Sequence, residues 1–252
     1  MRRPCVLVLA GLDPSGGAGI TADVQAIAAQ GAHALPVVTA LTVQDQNRVY
    51  AVQPVDPALL DQQLQALTAA LPLAAVKIGI CGSLANAAAL ATQLAALRAR
   101  QPALPIVLDP VLASGRGDPL ARDDARLAVQ TLLPLASVVL PNGPEAAALG
   151  LDGPWQGGPE VLQTGGHGDG PEVCNRWRGP HGERSWRWPR LDGEFHGSGC
   201  TLAASLAACL ALGEPLDAAL QAAQAYTHAT LAGAYAIGPG QRIPERWCEK
   251  EI

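Results

Sequence analysis

Aromatic side chains are scarce in this chain: one Phe, three Tyr and five Trp among 252 residues. Its core must therefore be built from Ala, Leu and Val. Only two lysines occur, Lys77 and Lys250, preceded by Val76 and Glu249. A Walker A loop ends in Gly-Lys-Ser/Thr, so that phosphate-binding class is excluded. No basic run exceeds Arg2-Arg3, and the net charge is −5. That argues against a general nucleic-acid surface. The six cysteines form no C-x-x-C pair, so zinc-ligand spacing is absent. No apolar run approaches a membrane span, and residues 1–10 are too short for a signal segment with its cleavage site. These absences point to a cytoplasmic chain with reduced thiols and no membrane partner.

What is present suits one large, well-buried domain: 49% hydrophobic residues, 15% charged, over residues 1–252. Short apolar runs at 5–10, 34–39, 74–80, 106–108, 138–140 and 161–164 read as strands. They alternate with helical patterns at 20–30, 57–71, 84–100, 123–133 and 143–149. Continuous apolar strands between helices predict a mainly parallel sheet covered on both faces. Residues 171–188, rich in Arg, Trp, Gly and Pro, predict an antiparallel hairpin at a sheet edge, and helices at 201–212 and 215–235 close the chain.

Polar and glycine-rich residues cluster just after the strands, where open α/β sheets place their ligands. They are Gly11 to Gly19, Thr42 to Asp45, Asp109-Pro110, Asn142 to Glu145 and Gly165-Gly166-His167. The most informative stretch is His196-Gly197-Ser198-Gly199-Cys200-Thr201, ahead of an apolar helix. Glycines allow close backbone approach, and the unpaired N–H groups of a helix start favour an oxyanion. The same place should pull a thiol's pKa down. A plain glycine-rich cap over a buried cysteine explains this segment equally well. The first glycine loop does not fit G-x-G-x-x-G, which weakens any dinucleotide reading. Phosphate handling here would rest on backbone amides, arginine and a metal ion.

Several of these segments, in order, carry a family resemblance. They are Asp13-Pro14-Ser15-Gly16-Gly17-Ala18-Gly19-Ile20 with Ala22-Asp23, and Thr39-Ala40-Leu41-Thr42-Val43-Gln44. Val76-Lys77-Ile78-Gly79, Leu108-Asp109-Pro110-Val111 and Leu140-Pro141-Asn142 with Glu145-Ala146 follow. Gly165-Gly166-His167 and His196 to Thr201 complete the set. The chain resembles the hydroxymethylpyrimidine and phosphomethylpyrimidine kinases of thiamine biosynthesis, within the ribokinase-like superfamily. The resemblance implies an α/β fold, a three-layer α/β/α sandwich with a mainly parallel central sheet. It implies ATP and Mg²⁺ as cofactors, a small pyrimidine alcohol as substrate, and a homodimer.

The resemblance also implies roles. Gly197, Ser198 and Gly199 would form the anion hole for the transferring phosphoryl group, with Cys200 as the base. Gln44 would recognise the aminopyrimidine through its paired donor and acceptor. Gly11, Ala18, Ile80 and Val107 would line the ring pocket, and Asp23 would touch substrate unless it sits on a solvated helix face. Asn142, Thr164, Gly166, Gly197 and Gly199 would meet the nucleotide. Asp109, Asn142 and Glu145 would hold Mg²⁺, partly through water. As plain structure, Asn142 and Glu145 make a helix capping box, and Lys77 a buried ion pair. Thr164 departs from the family, many of whose members carry lysine there near the nucleotide phosphates; Arg116 is one residue that would compensate. Two other readings remain: a pyridoxal-type vitamin kinase, and a non-catalytic pyrimidine-binding protein.

Overall fold

Along β1 (Cys5–Leu12) successive side chains enter two different cores. Val6, Val8 and Ala10 pack into one, Leu7 and Leu9 into the other. That is the two-residue period of a strand covered on both faces. The first core takes in α1 (Gly19–Ala29), α6 (Ser198–Ala211) and α7 (Leu216–Ala232). The second takes in α2 (Pro57–Ala70), α3 (Leu84–Arg100) and α4 (Ala125–Leu132). The computed structural model describes residues 2–247; Cys248 and Lys250 lie outside the described residues.

The layer between the helices is one nine-stranded sheet, order β3-β2-β1-β4-β5-β6-β7-β8-β9. Its other strands are β2 (His33–Gln44), β3 (Val49–Pro54), β4 (Leu73–Ile78), β5 (Ile106–Leu108), β6 (Val138–Val139), β7 (Glu160–Gln163), β8 (Glu172–Gly179) and β9 (Gly182–Pro189). From β2 to β7 neighbours run parallel. The edges are antiparallel, β3 on β2 at one side and the β8–β9 hairpin on β7 at the other. The expected three-layer sandwich and edge hairpin are both present. Among the described residues no helix is long and apolar enough to cross a membrane.

Two differences from the sequence reading matter for the site. β2 runs on to Gln44, and an unforeseen β3 pairs with its far half. β3 has no buried residue and exposes Tyr50, Ala51 and Gln53; its short apolar run, Val49 to Val52, lies outside the segments read as strands. The penultimate helix begins at Ser198, three residues earlier than its apolar pattern. Cys200 and Gly199 are therefore inside the first turn.

How each helix starts also differs. Asp56, Ser83 and Asp124 cap α2, α3 and α4 through their side chains. Asn142 and Glu145 form a reciprocal capping box on α5 (Gly143–Leu149). Before α6 stands Gly197, with φ 81° and no side-chain cap. Its first amides are left to whatever occupies the space in front of them.

Candidate active site

The carboxyl ends of the parallel strands open onto one cleft of about 620 Å³. The first glycine turn forms one wall around Asp13, which is almost fully buried. Its Oδ1 accepts from the Ser15 amide at 2.8 Å. Its Oδ2 accepts from the Ser15 hydroxyl at 2.9 Å and the Ala18 amide at 2.8 Å. His196 Nε2 also lies 2.8 Å from Oδ2. Burial alone would raise the Asp13 pKa, but the bonds from His196 and Ser15 outweigh it and hold it below its ordinary value. Asp13 thus fastens the first glycine turn to the residue preceding Gly197.

The two turns touch. A Cβ on Gly197 would overlap the Gly17 carbonyl, and its φ of +81 already favours glycine. From behind, the buried Arg246 guanidinium donates to the Gly17 carbonyl at 2.6 Å and to Thr201 Oγ1 at 2.8 Å. One arginine thereby links the first glycine turn to the start of α6.

Gly197, Ser198, Gly199 and Cys200 all face the cleft. The Gly19 amide lies beside the Cys200 sulfur and favours its charged form, and the thiol in turn favours the charged form of Asp109. The expected fall in its pKa is not found. Burial pushes the thiol up to about 12; Lys77 opposes the rise, while Asp109 and Asp23 add to it. The helix start is outweighed by desolvation and by two nearby carboxylates.

Lys77 and Asp23 pair at 2.8 Å with both side chains fully buried. The pairing follows from the strand period. Val76 and Ile78 enter the second core, so Lys77 points to the opposite face, where α1 presents Asp23. Burial works against the lysine's charge, but Asp23, Cys200 and Asp109 together raise its pKa above the ordinary value. On Asp23 burial prevails, raising it to about 6 despite Lys77. Asp23 is therefore neither a substrate contact nor on a solvated face; it is the counter-ion of a cleft-lining lysine. Val107 is corrected too. It is fully buried in the first core and does not line the cleft.

Gly11, Ala18, Gln44 and Ile80 do line it, at the end beside β2. A Cβ on Gly11 would come within 2.5 Å of Ile80 Cδ1, so the glycine leaves room for that apolar wall. On the other side lie Asn142, Glu145, Thr164 and Gly166. Asn142 Oδ1 accepts from the Glu145 amide and Glu145 Oε2 from the Asn142 amide, each at 2.9 Å. The capping reading of this pair is correct. Thr164 bridges to Asn142 in parallel, and Arg116 is paired with Glu194 at 2.9 Å.

Burial, then the charge of Asp109, raises Glu145 to about 7. Asp109 is itself raised by burial, against Lys77 and the thiol, and its Oδ2 is buried with no hydrogen-bond partner. Two carboxylates that disfavour each other, one with an orphaned oxygen, suit a divalent cation. No group of three or more metal-ligating side chains occurs among the described residues. Magnesium needs only one or two carboxylates beside phosphates and water, so the residues fit it.

Comparison with known proteins agrees with this geometry. The family model described as phosphomethylpyrimidine kinase matches residues 13–154 and 155–244. The chain belongs to this kinase family. A hydroxymethylpyrimidine/phosphomethylpyrimidine kinase from Rhizobium meliloti is 38% identical, covering 93% of both chains. Its counterpart from Escherichia coli is 32% identical over 98% of this chain and 100% of its own. A thiamine biosynthesis multifunctional protein from Corynebacterium efficiens is 34% identical, and there the chain spans 34% of the relative's length. Among solved structures, pyridoxal kinase from Staphylococcus aureus with AMP-PCP and pyridoxal superposes with a TM-score of 0.83. It is 24% identical, over 99% of this chain and 96% of that one. Phosphomethylpyrimidine kinase from Clostridium difficile gives 0.73 at 29% identity, over 89% and 98%. The ribokinase-like sandwich is thus the fold of this family kinase.

Three contributors escaped the sequence reading. Asp13 and His196 were visible as motif letters, but nothing in their spacing foretold that they bond each other across 183 positions. Arg246 follows no motif, and only the return of the chain behind α6 gives it a purpose.

Proposed function

We propose that this kinase transfers the γ-phosphoryl group of ATP to the hydroxymethyl oxygen of 4-amino-5-hydroxymethyl-2-methylpyrimidine, and then phosphorylates the monophosphate to the diphosphate for thiamine assembly. The observation that carries the reading is the uncapped start of α6, opening with Cys200 onto the cleft that Gln44 also lines. The amides of Gly197, Ser198 and Gly199 are fixed donors for the equatorial oxygens of the transferring group. Gln44 orients the aminopyrimidine, with Gly11, Ala18 and Ile80 against its ring. Asn142, Thr164 and Gly166 flank the nucleotide.

As the new O–P bond forms and the bond to ADP breaks, Cys200 takes the hydroxyl proton. In a loose transition state that proton leaves late. The Gly19 amide and Lys77 favour the charged sulfur locally. Magnesium, held by Asp109, Asn142 and Glu145 partly through water, would neutralise phosphate charge there. Asn142 Oδ1 and both Glu145 oxygens already accept backbone amides, which favours contact through water.

The enzyme works in the cytoplasm as a homodimer of single-domain chains. Reduced thiols at Cys5, Cys81, Cys174 and Cys200 support the first point. The exposed Leu41, Val43 and Tyr50 along β2 and β3 support the second. A coupled ADP-release assay tests the chemistry, with the pyrimidine alcohol, its monophosphate and pyridoxal supplied separately, with and without Mg²⁺. Turnover on both pyrimidines that depends on the metal and exceeds that on pyridoxal is expected. Pyridoxal alone being phosphorylated would refute the reading.

A further inference from the structure

A nucleoside triphosphate brings three or four negative charges into a cleft of a protein that is itself net negative. Among the described residues, four lysine or arginine side chains line that cleft: Arg48, Lys77, Arg116 and Arg190. Three of them face carboxylates. Arg48 holds Asp118 at 2.7 Å, Lys77 holds Asp23 at 2.8 Å, and Arg116 holds Glu194 at 2.9 Å. Arg190 is different. Its Nε donates to the Gly170 carbonyl at 2.7 Å, and its two terminal nitrogens donate to the carbonyls of Gly166 at 3.0 Å and Glu172 at 3.4 Å. Every one of these acceptors is a neutral peptide group, and the bonds are exposed.

Its position fits as well. Arg190 directly follows β9 and is tied by its own amide to the Pro171 carbonyl at 2.8 Å. Its guanidinium therefore lies over the turn after β7. That turn carries Gly166, two residues beyond the uncharged Thr164, which bridges to Asn142. A cation whose charge is spent on peptide carbonyls has weaker bonds than one on phosphate, where donor and acceptor are both ionised. Guanidinium also matches phosphate geometrically, with parallel N–H donors.

We propose that Arg190 is the cationic contact for the phosphate chain of the nucleotide, exchanging its bonds to Gly166 and Gly170 for oxygens of a nucleoside di- or triphosphate. This rests on the reading of the cleft as a nucleotide site. Arg190 supplies at that wall the positive charge that Thr164 does not.

Calorimetry with ADP and with AMP tests it on the wild type, Arg190→Gln and Arg190→Lys. Arg190→Gln is expected to weaken ADP by about ten- to hundredfold, and AMP by less than about threefold. Arg190→Lys keeps the charge and should recover most of the ADP affinity, as should Thr164→Lys added to Arg190→Gln. Equal losses for ADP and AMP, or the same loss with Lys as with Gln, would show that Arg190 only braces the turn and overturn the assignment. A second readout needs no folded glutamine variant. The arginine Nε–H spectrum of the wild type, with Arg190 assigned by its absence in Arg190→Lys, should show that signal moving with ADP and staying with AMP. A signal that ignores ADP, or moves equally with both, contradicts the proposal. Wild-type protein binding neither nucleotide would sink both this assignment and the reading beneath it; normal wild-type binding unaffected by Arg190→Gln sinks this one alone.

Discussion

Cys200 stands where opposing influences meet: burial and two carboxylates raise its pKa to about 12, while Lys77 and the Gly19 amide oppose them. A base must lose its own proton before it can take another. Turnover that depends on the Cys200 thiolate therefore climbs as pH rises above neutrality. Cys200→Ser should lower kcat by roughly 10²–10⁴-fold and abolish that ascending limb, with the pyrimidine KM little changed. A pH profile of kcat for both proteins checks this; an unchanged profile in the serine variant would remove Cys200 as the base. Lys77 and Asp23 illustrate a second point at this scale. Removing one partner of a buried pair strands the other, at a cost of about 3–5 kcal/mol, whereas replacing both is far milder. Denaturant unfolding should show Lys77→Met strongly destabilised and the Asp23→Leu/Lys77→Met double variant much closer to the wild type.

Elements position these residues, and here the sequence was only partly readable. The parallel strands announced themselves because burial on both faces makes them continuously apolar, and the helices through the longer patterns between them; of their caps only the Asn142–Glu145 box was read. Strand β3 was missed, although Val49 to Val52 is apolar, because after β2 the strand–helix alternation predicts a helix rather than an antiparallel edge. Asp23 and Val107 were misplaced because the resemblance assigns a motif position, not the neighbour that lies opposite: Asp23 faces Lys77 and Val107 enters the first core. The glycine segments were legible as ligand turns, yet the Asp13–His196 and Arg246 ties between them depend on tertiary closure. The β2–β3 turn is locked in a similar way. Arg48 there holds Asp118 of the 113–118 loop, and the Val49 amide donates to the same carboxylate at 3.0 Å. These bonds depress Asp118 to about 2. A depressed acid stabilises the folded state fully above its unfolded pKa, near 3.8, and loses that contribution as pH falls through about 2. Asp118→Asn should speed amide exchange in both segments at pH 7, and the difference from wild type should fade by pH 2. Exchange rates equal at neutral pH would contradict the lock.

For the molecule as a whole, the cleft sits at the carboxyl edge of one sheet, and both glycine turns converge there. Its net charge of −5 does not draw anionic ligands, so local groups must do so. Val43 and Tyr50, 61% and 66% exposed, lie on β2 and on the edge strand β3 paired with it, beside the cleft. Sedimentation is expected to give twice the chain mass of 25.9 kDa, and Val43→Glu with Tyr50→Glu should shift it toward the monomer. A wild type that sediments as a monomer at all concentrations would refute the dimer. The most direct test of the central claim is a crystal structure with AMP-PCP, Mg²⁺ and the pyrimidine alcohol bound together. The terminal phosphate should accept from the amides of residues 197–199, with the alcohol oxygen between its phosphorus and Cys200 Sγ. A phosphate chain that leaves those amides unoccupied, or an alcohol held away from the sulfur, would contradict it.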